Sequence, residues 1–166
     1  TQEHTVLING GGIANICILP CNQSSPMIAF DTGPANGPID ELIHTLLHHD
    51  DLNTLPPELC ETLRKTKIDH DGQVAQLGTV HEDLYQRLNA HPYFSKPIQH
   101  KSADRSWFSH EWINPAIQGT GCNIIDAITT VSAVVADSIA HAITAHINPL
   151  TLTMPTRVIC YGGMIH

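Results

Sequence analysis

Apolar positions along this chain recur in two rhythms. Thr5-Val6-Leu7-Ile8 ends at Asn9 and the run Gly10-Gly11-Gly12, Ile13 through Leu19 resumes as a strand, and Met27-Ile28-Ala29-Phe30 follows. Three short strands joined by turn-rich links predict an antiparallel meander. Their mostly apolar make-up predicts a sheet covered on both faces. From Ile39 the period lengthens: Ile39, Leu42, Ile43, Leu46 and Leu47 share one face of a helix. Asn36 or Gly37 suits its cap and Pro38 its first position, with the end expected near His49.

The middle of the chain is more polar. Pro56-Pro57 opens a short helix through Lys67, and Val80–Asn89 reads as another, with the loop Asp69-His70-Asp71-Gly72-Gln73 between them. Pro92 and Pro97 bracket a packed aromatic turn at Tyr93-Phe94. Asn123 with Asp126 three residues on starts the longest helix. Its apolar face is Ile124, Ile128, Val131, Val135, Ile139 and Ala142, and Asp126, Thr130, Asp137 and His141 form a solvent face. That helix is expected to end near Asn148-Pro149. Arg157–Tyr161 then forms a last strand before Gly162-Gly163. A strand and diglycine with three residues after them read as a piece of a longer protein. The division expected is a β-meander with the first helix (1–50), a mainly helical insertion (51–118), and a long helix with a terminal strand (119–166).

Composition narrows the class of function. The 166 residues carry a net charge of −8 without a basic cluster, which argues against a dedicated nucleic-acid surface. Neither a leader nor a run near the roughly 18 apolar residues of a membrane span stands out, so a cytoplasmic protein without a membrane partner is expected. Five irregularly spaced cysteines read as reduced thiols. His48-His49-Asp50-Asp51 reads as a solvated helix end, since adjacent residues of a helix do not converge on one ion. The Asp69–Gly72 loop lacks the terminal glutamate of a calcium loop. Lys101 and Arg105 lie beside Trp107, Phe108 and Trp112, either as a ligand-facing loop or as an excursion anchored by its aromatics.

The sharpest chemical signal is Phe30-Asp31-Thr32-Gly33-Pro34-Ala35-Asn36 read with Gly10-Gly11-Gly12. A carboxylate at a strand end, a glycine turn and a helix start read as an anion loop. Asn9–Asn15 and Phe30–Asn36 together resemble the anhydro-N-acetylmuramic acid kinases, members of the sugar-kinase/actin/Hsp70-like ATPase superfamily. That family shows approximately N-L-G-G-I-A-N and F-D-T-G-P-G-N; here Gly10 stands for the usual Leu and Ala35 for a Gly. The resemblance continues through Asp40, Asp69–Gly72, His91–Phe94 and Lys101-Ser102-x-x-Arg105-x-x-Phe108, where Asp104 stands for a Gly. It ends at Cys160-Tyr161-Gly162-Gly163, with Tyr161 in place of the first glycine of a C-G-G-G stretch.

The resemblance implies an α/β fold: an incomplete ribonuclease-H-like (actin-like ATPase) lobe, with a three-stranded meander, helices, a helical insertion and a further strand. It implies ATP and Mg2+ as cofactors, with Gly11, Gly12, Asp31, Thr32, Gly33 and Asn36 on the phosphate side. Gly162 and Gly163 fall on the adenosine side, and Asp31 is the metal residue. Lys101, Ser102 and Arg105 are candidates for further contacts in the cleft. The implied reaction opens a 1,6-anhydro amino sugar with water and phosphorylates the freed O6. The resemblance puts the general base N-terminal to Thr1, so no catalytic residue is assigned here and the chain alone is expected to be inactive. Homodimerisation is expected of the full-length protein. The alternative is a non-catalytic nucleotide- or sugar-binding regulatory domain of the same superfamily.

Overall fold

The computed structural model describes residues 4–21, 26–97, 100–151 and 157–163, with side chains of the long helix described as far as Ala145. The centre of the turn expected between Pro20 and Pro26 lies outside these residues, as do His166 and the side chain of His146. Strands β1 (Thr5–Gly10), β2 (Ile13–Leu19) and β3 (Ile28–Pro34) form the expected meander. Strand β4 (Arg157–Gly162) pairs in parallel with β1, from Thr5↔Arg157 to Gly10↔Gly162, giving the order β3-β2-β1-β4. The chain is thus a mixed α/β structure built on a four-stranded sheet.

Among the described residues, only one face of the meander is well covered. Val6, Ile8, Ala14, Ile16 and Ile18 are buried, while the residues between them in β1 and β2 are half-exposed. The expectation of two covered faces fails because apolar content, unlike alternation, does not report how many layers flank a sheet. The covering layer is helix α5 (Ile124–Thr151), through Val135, Ile139 and Ala142.

Strand β3 extends four residues beyond the expected end at Phe30. It absorbs Asp31, Thr32, Gly33 and Pro34, pairing Asp31 with Asn15 and Gly33 with Ala14. The register skips Thr32 at a bulge, where the Thr32 hydroxyl donates to the Ala14 carbonyl at 3.2 Å. What the sequence suggests as a glycine turn is bulged strand.

Helix α1 (Asn36–Leu46) follows after a single connecting residue, Ala35, which is its N-cap and supplies no side-chain bond. Asn36 and Gly37 are therefore inside the helix and are not its cap. The glycine turn does the tethering instead: Gly12 and Gly11 carbonyls accept from the Ala35 and Asn36 N–H groups at 3.2 and 2.9 Å.

Beyond a 3-10 turn at Asp50–Thr54 come α2 (Pro57–Thr66), α3 (Glu82–Asn89) and α4 (His110–Ile117). Leu42, Ile43 and Leu46 of α1 share one core with Leu59, Leu63, Leu84 and Leu88, and with Ala127, Ile128 and Val131 of α5. Asn123 and Asp126 exchange the bonds expected at the α5 start. Thr130, expected to face solvent, is buried; its hydroxyl donates to the Asp126 carbonyl and accepts the His81 N–H, so the turn before α3 covers it.

Helix α5 runs to Thr151, past the expected stop at Asn148-Pro149. Its segment Ile124–Ala145, mean hydropathy 1.4, is long and apolar enough to cross a membrane, although no such run stands out in the sequence. Isoleucine, valine and alanine supply that hydropathy, and residues of all three types pack against the sheet and the helical layer. Length and composition do not separate a core helix from a span.

Candidate functional site

Three segments far apart in sequence meet at a cavity of about 630 Å³. The β1–β2 turn contributes Gly11 and Gly12, α1 contributes Asn36 and Asp40, and the residue after β4 contributes Gly163. Asn36 fastens two of these together: its side-chain amide donates to the Gly163 carbonyl at 2.7 Å. Gly162 makes the junction sterically feasible. It has φ of 92°, and a Cβ there would lie 2.6 Å from the Gly10 carbonyl oxygen.

The opposite rim is the Asp69–Gly72 loop. Both Asp69 carboxylate oxygens are occupied, accepting from the Val74 and Ala75 N–H groups at 2.8 and 3.0 Å. These bonds give Asp69 a structural role in the loop. Asp71 also borders the cavity, from a left-handed conformation with φ of 55°. Arg105 completes the wall, and burial raises the pKa of the Asp40 carboxyl while the Arg105 charge pulls the other way.

The Asp31-Thr32-Gly33 stretch does not open on this cavity. Its backbone is a joint between sheet and aromatic layer: the Asp31 N–H donates to the Lys101 carbonyl at 3.1 Å, and the Tyr93 hydroxyl donates to the Asp31 carbonyl at 2.8 Å. Gly33 lies beneath Phe94, whose Cε1 would be 3.1 Å from an added Cβ. The Asp31 side chain faces a separate, shallower depression with Asn15, Lys101 and Ser102. One carboxylate oxygen accepts the Ala103 N–H at 2.8 Å. Thr32 is fully buried and borders a third cavity, of about 240 Å³, with Lys101, Asp137 and His141.

The structure therefore brings together Gly11, Gly12, Asn36 and Gly163, with Gly162 as their support. It sets Asp31, Thr32 and Gly33 apart from them. No group of three or more metal-binding side chains converges among the described residues.

The Lys101–Trp112 stretch is an excursion anchored by its aromatics, and Arg105 within it borders the main cavity. Phe108 and Trp112 are buried in the ring cluster with Tyr93 and Phe94, with centroids 5.2–5.9 Å apart along Trp112–Phe108–Tyr93 and Phe94–Phe108. Lys101 sits 5.5 Å from the Tyr93 ring centroid, with its pKa lowered by burial. Burial also raises the Tyr93 pKa, reinforced by the Asp31 charge. Arg105 extends from the same stretch to the main cavity. Asp40 is the residue the sequence left without a role. Its signals are its place in the resemblance and its spacing, one helical turn after Asn36 on the same face.

A protein-family model described as anhydro-N-acetylmuramic acid kinase matches residues 1–166. The chain belongs to that family. Family members named anhydro-N-acetylmuramic acid kinase include one from Methylorubrum populi, 32% identical over 157 residues, covering 95% of this chain and 33% of that protein. Another, from Idiomarina loihiensis, is 32% identical over 162 residues, covering 98% and 38%. One from Coxiella burnetii is 32% identical over 140 residues, covering 84% and 33%. The chain thus spans about a third of the length of these family members.

Proposed function

We propose that this chain is the part of an ATP-dependent anhydro-N-acetylmuramic acid kinase that carries the second-lobe phosphate cleft, within a ribonuclease-H-like (actin-like ATPase) fold. The observation that carries this reading is the convergence of Gly11, Gly12, Asn36 and Gly163 on one cavity. Glycine backbone accessible to a ligand, an amide side chain and a cation suit a nucleotide's phosphates. Mg2+ travels with those phosphates, which with water supply most of its ligands. Of the carboxylates bordering the cavity, Asp40 is the one on the helix that carries Asn36, so the metal role expected of Asp31 passes to Asp40 in this proposal. When bound, the ion neutralises charge on the transferred phosphoryl group.

Asp31 then takes a different role. Its carboxylate is oriented by the Ala103 N–H and stands beside Lys101 and Ser102. A single oriented carboxylate suits a general base better than a metal cage. We assign it the water whose oxygen attacks the anomeric carbon; the C1–O6 bond breaks, the base takes a proton from that water, and the freed O6 bonds to the γ-phosphorus as the bond from that phosphorus to the β,γ-bridging oxygen breaks and ADP leaves. This departs from the expectation of a base N-terminal to Thr1. The protein is expected to act in the cytoplasm on an anhydro amino sugar.

The test uses the full-length protein that carries this chain, with ADP release and sugar phosphate formation followed together. Asp31→Asn is expected to lower kcat at least ~100-fold, in keeping with the usual contribution of a general base, with ATP affinity unchanged. An Asp31→Asn enzyme with wild-type kcat would overturn the base assignment. Absence of ATP-dependent sugar phosphorylation by the wild type would overturn the function.

A further inference from the structure

Arg105 is a cation on the wall of the main cavity, and the Asp40 carboxyl beside it feels its charge. Asp69 is spent on backbone N–H groups. The Arg105 guanidinium makes no hydrogen bond, and no ion pair within 4.0 Å, among the described residues, although its stem is closely seated. A Cβ at position 12 would come within 3.2 Å of Arg105 Cδ and Nε, and one at position 37 within 3.6 Å of Nε. Both neighbours are glycine, and the same Cβ at 37 would lie 3.0 Å from the Gly12 carbonyl oxygen. Turn, helix and arginine interlock through missing side chains. An exposed arginine serving only solubility needs no such seat.

The charge balance gives the seat its purpose. The chain carries −8 overall, and Asp40 and Asp71 border this cavity. An anionic ligand entering there meets a repulsive field unless a cation faces it. Arginine, always charged and with a planar fork of donors, binds carboxylate and phosphate oxygens in pairs.

The geometry points to Arg105 as the residue that grips an oxyanion of the ligand in the cavity formed by Gly11, Gly12, Asn36 and Asp40. The inference rests on the kinase reading above for the identity of the ligands. The oxyanion belongs either to the nucleotide's phosphates or to the carboxylate of the muramic acid sugar, and the two sources give different kinetics. Gly12 and Gly37 act as positioning residues for Arg105.

The experiment compares full-length wild type, Arg105→Gln and Arg105→Lys, using the acid sugar and its 1,6-anhydro-N-acetylglucosamine analogue, which lacks the carboxylate. Losing a charge-assisted contact is expected to cost ~10- to 100-fold. A rise of that size in KM for the acid sugar alone, in Arg105→Gln, assigns the contact to the sugar carboxylate. A matching loss in kcat/KM for ATP with both sugars assigns it to the phosphates. Arg105→Lys, keeping charge but losing the fork, is expected to recover part of the loss.

Calorimetric titration of inorganic pyrophosphate and of the acid sugar reads the contact without turnover. Weaker binding of either in Arg105→Gln, with an inactive wild type, would retire the kinase reading and keep the contact. Kinetic constants and affinities within twofold of wild type throughout would overturn the inference. Thermal melts of each variant separate a lost contact from a lost fold.

Discussion

Gly12 lines the cavity and Gly162 supports it, yet an added methyl group meets different neighbours at each. At 12 it meets the end of a flexible arginine, and at 162 it meets Gly10 backbone from a left-handed conformation. Gly162→Ala is expected to lose ~1–3 kcal/mol in urea denaturation, from overpacking and backbone strain together. Gly12→Ala is expected to stay within ~1 kcal/mol of wild type, because the side chain can swing away, and to weaken ligand binding by displacing Arg105. Asp40 gives a pH signature of definite sign. Burial raises its folded-state pKa, so the native state binds the proton more readily than the unfolded chain. The penalty for its charge is present at neutral pH and relieved as pH falls through the folded pKa. Asp40→Asn is therefore expected to raise stability at pH 7, by less than ~1 kcal/mol for a half-exposed group, and to flatten the acid side of the profile. Equal profiles for the two proteins would refute that account.

At the scale of elements, the start of α5 is the most heavily bonded helix terminus. Asp126 accepts from the Asn123 side-chain amide at 2.7 Å, and from the Thr79 N–H and hydroxyl at 2.7 and 3.2 Å. Asp126→Ala is expected to destabilise the chain by ~1–2 kcal/mol, the upper range for a lost cap, measured by chemical denaturation. Asp126 and partial burial also push the Cys122 thiol up to about 11, burial being the larger cause. Cys122 is expected to alkylate slowly at pH 8 in mass-spectrometric labelling.

The cap was legible because Asn-x-x-Asp is a local pattern. The helices were legible because Leu42, Ile43 and Leu46 repeat at the helical period and the core enforces that period. The extension of β3 through Pro34 was not legible. Asp-Thr-Gly-Pro has the composition of a turn, and only a bulge and bonds to Ala14, Lys101 and Tyr93 hold it extended. The glycines of the candidate site were visible in the sequence; the wall formed by Asp40 and Arg105 depends on residues 28 and 93 positions away from Gly12. Thr130 misled for a related reason, since a threonine satisfied by its own helix and a crossing turn is comfortable inside.

For the molecule as a whole, the sheet ends in an apolar margin. Val158, Ile159 and Tyr161 of β4 are 42–48% exposed, and β4 pairs only with β1 among the described residues. An open strand of this kind recruits other strands. The 166-residue chain expressed alone is expected to associate as its concentration rises, and Ile159→Lys to reduce that association, both measured by light scattering. Unchanged scattering in the variant would place the sticky surface elsewhere.

The pairing of β1 with β4 also sets an order of events in time. Gly10 and Gly162 face each other across more than 150 residues of intervening chain. Contacts so distant in sequence close late, because the entropy of the loop must be overcome before they reward it. The meander and its glycine turn are synthesised before β4, and Gly163 reaches Asn36 only after the chain between them, a separation of 127 residues, has emerged. Ligand protection should therefore appear after secondary structure in a refolding experiment, as the final step by which the cavity acquires its last wall.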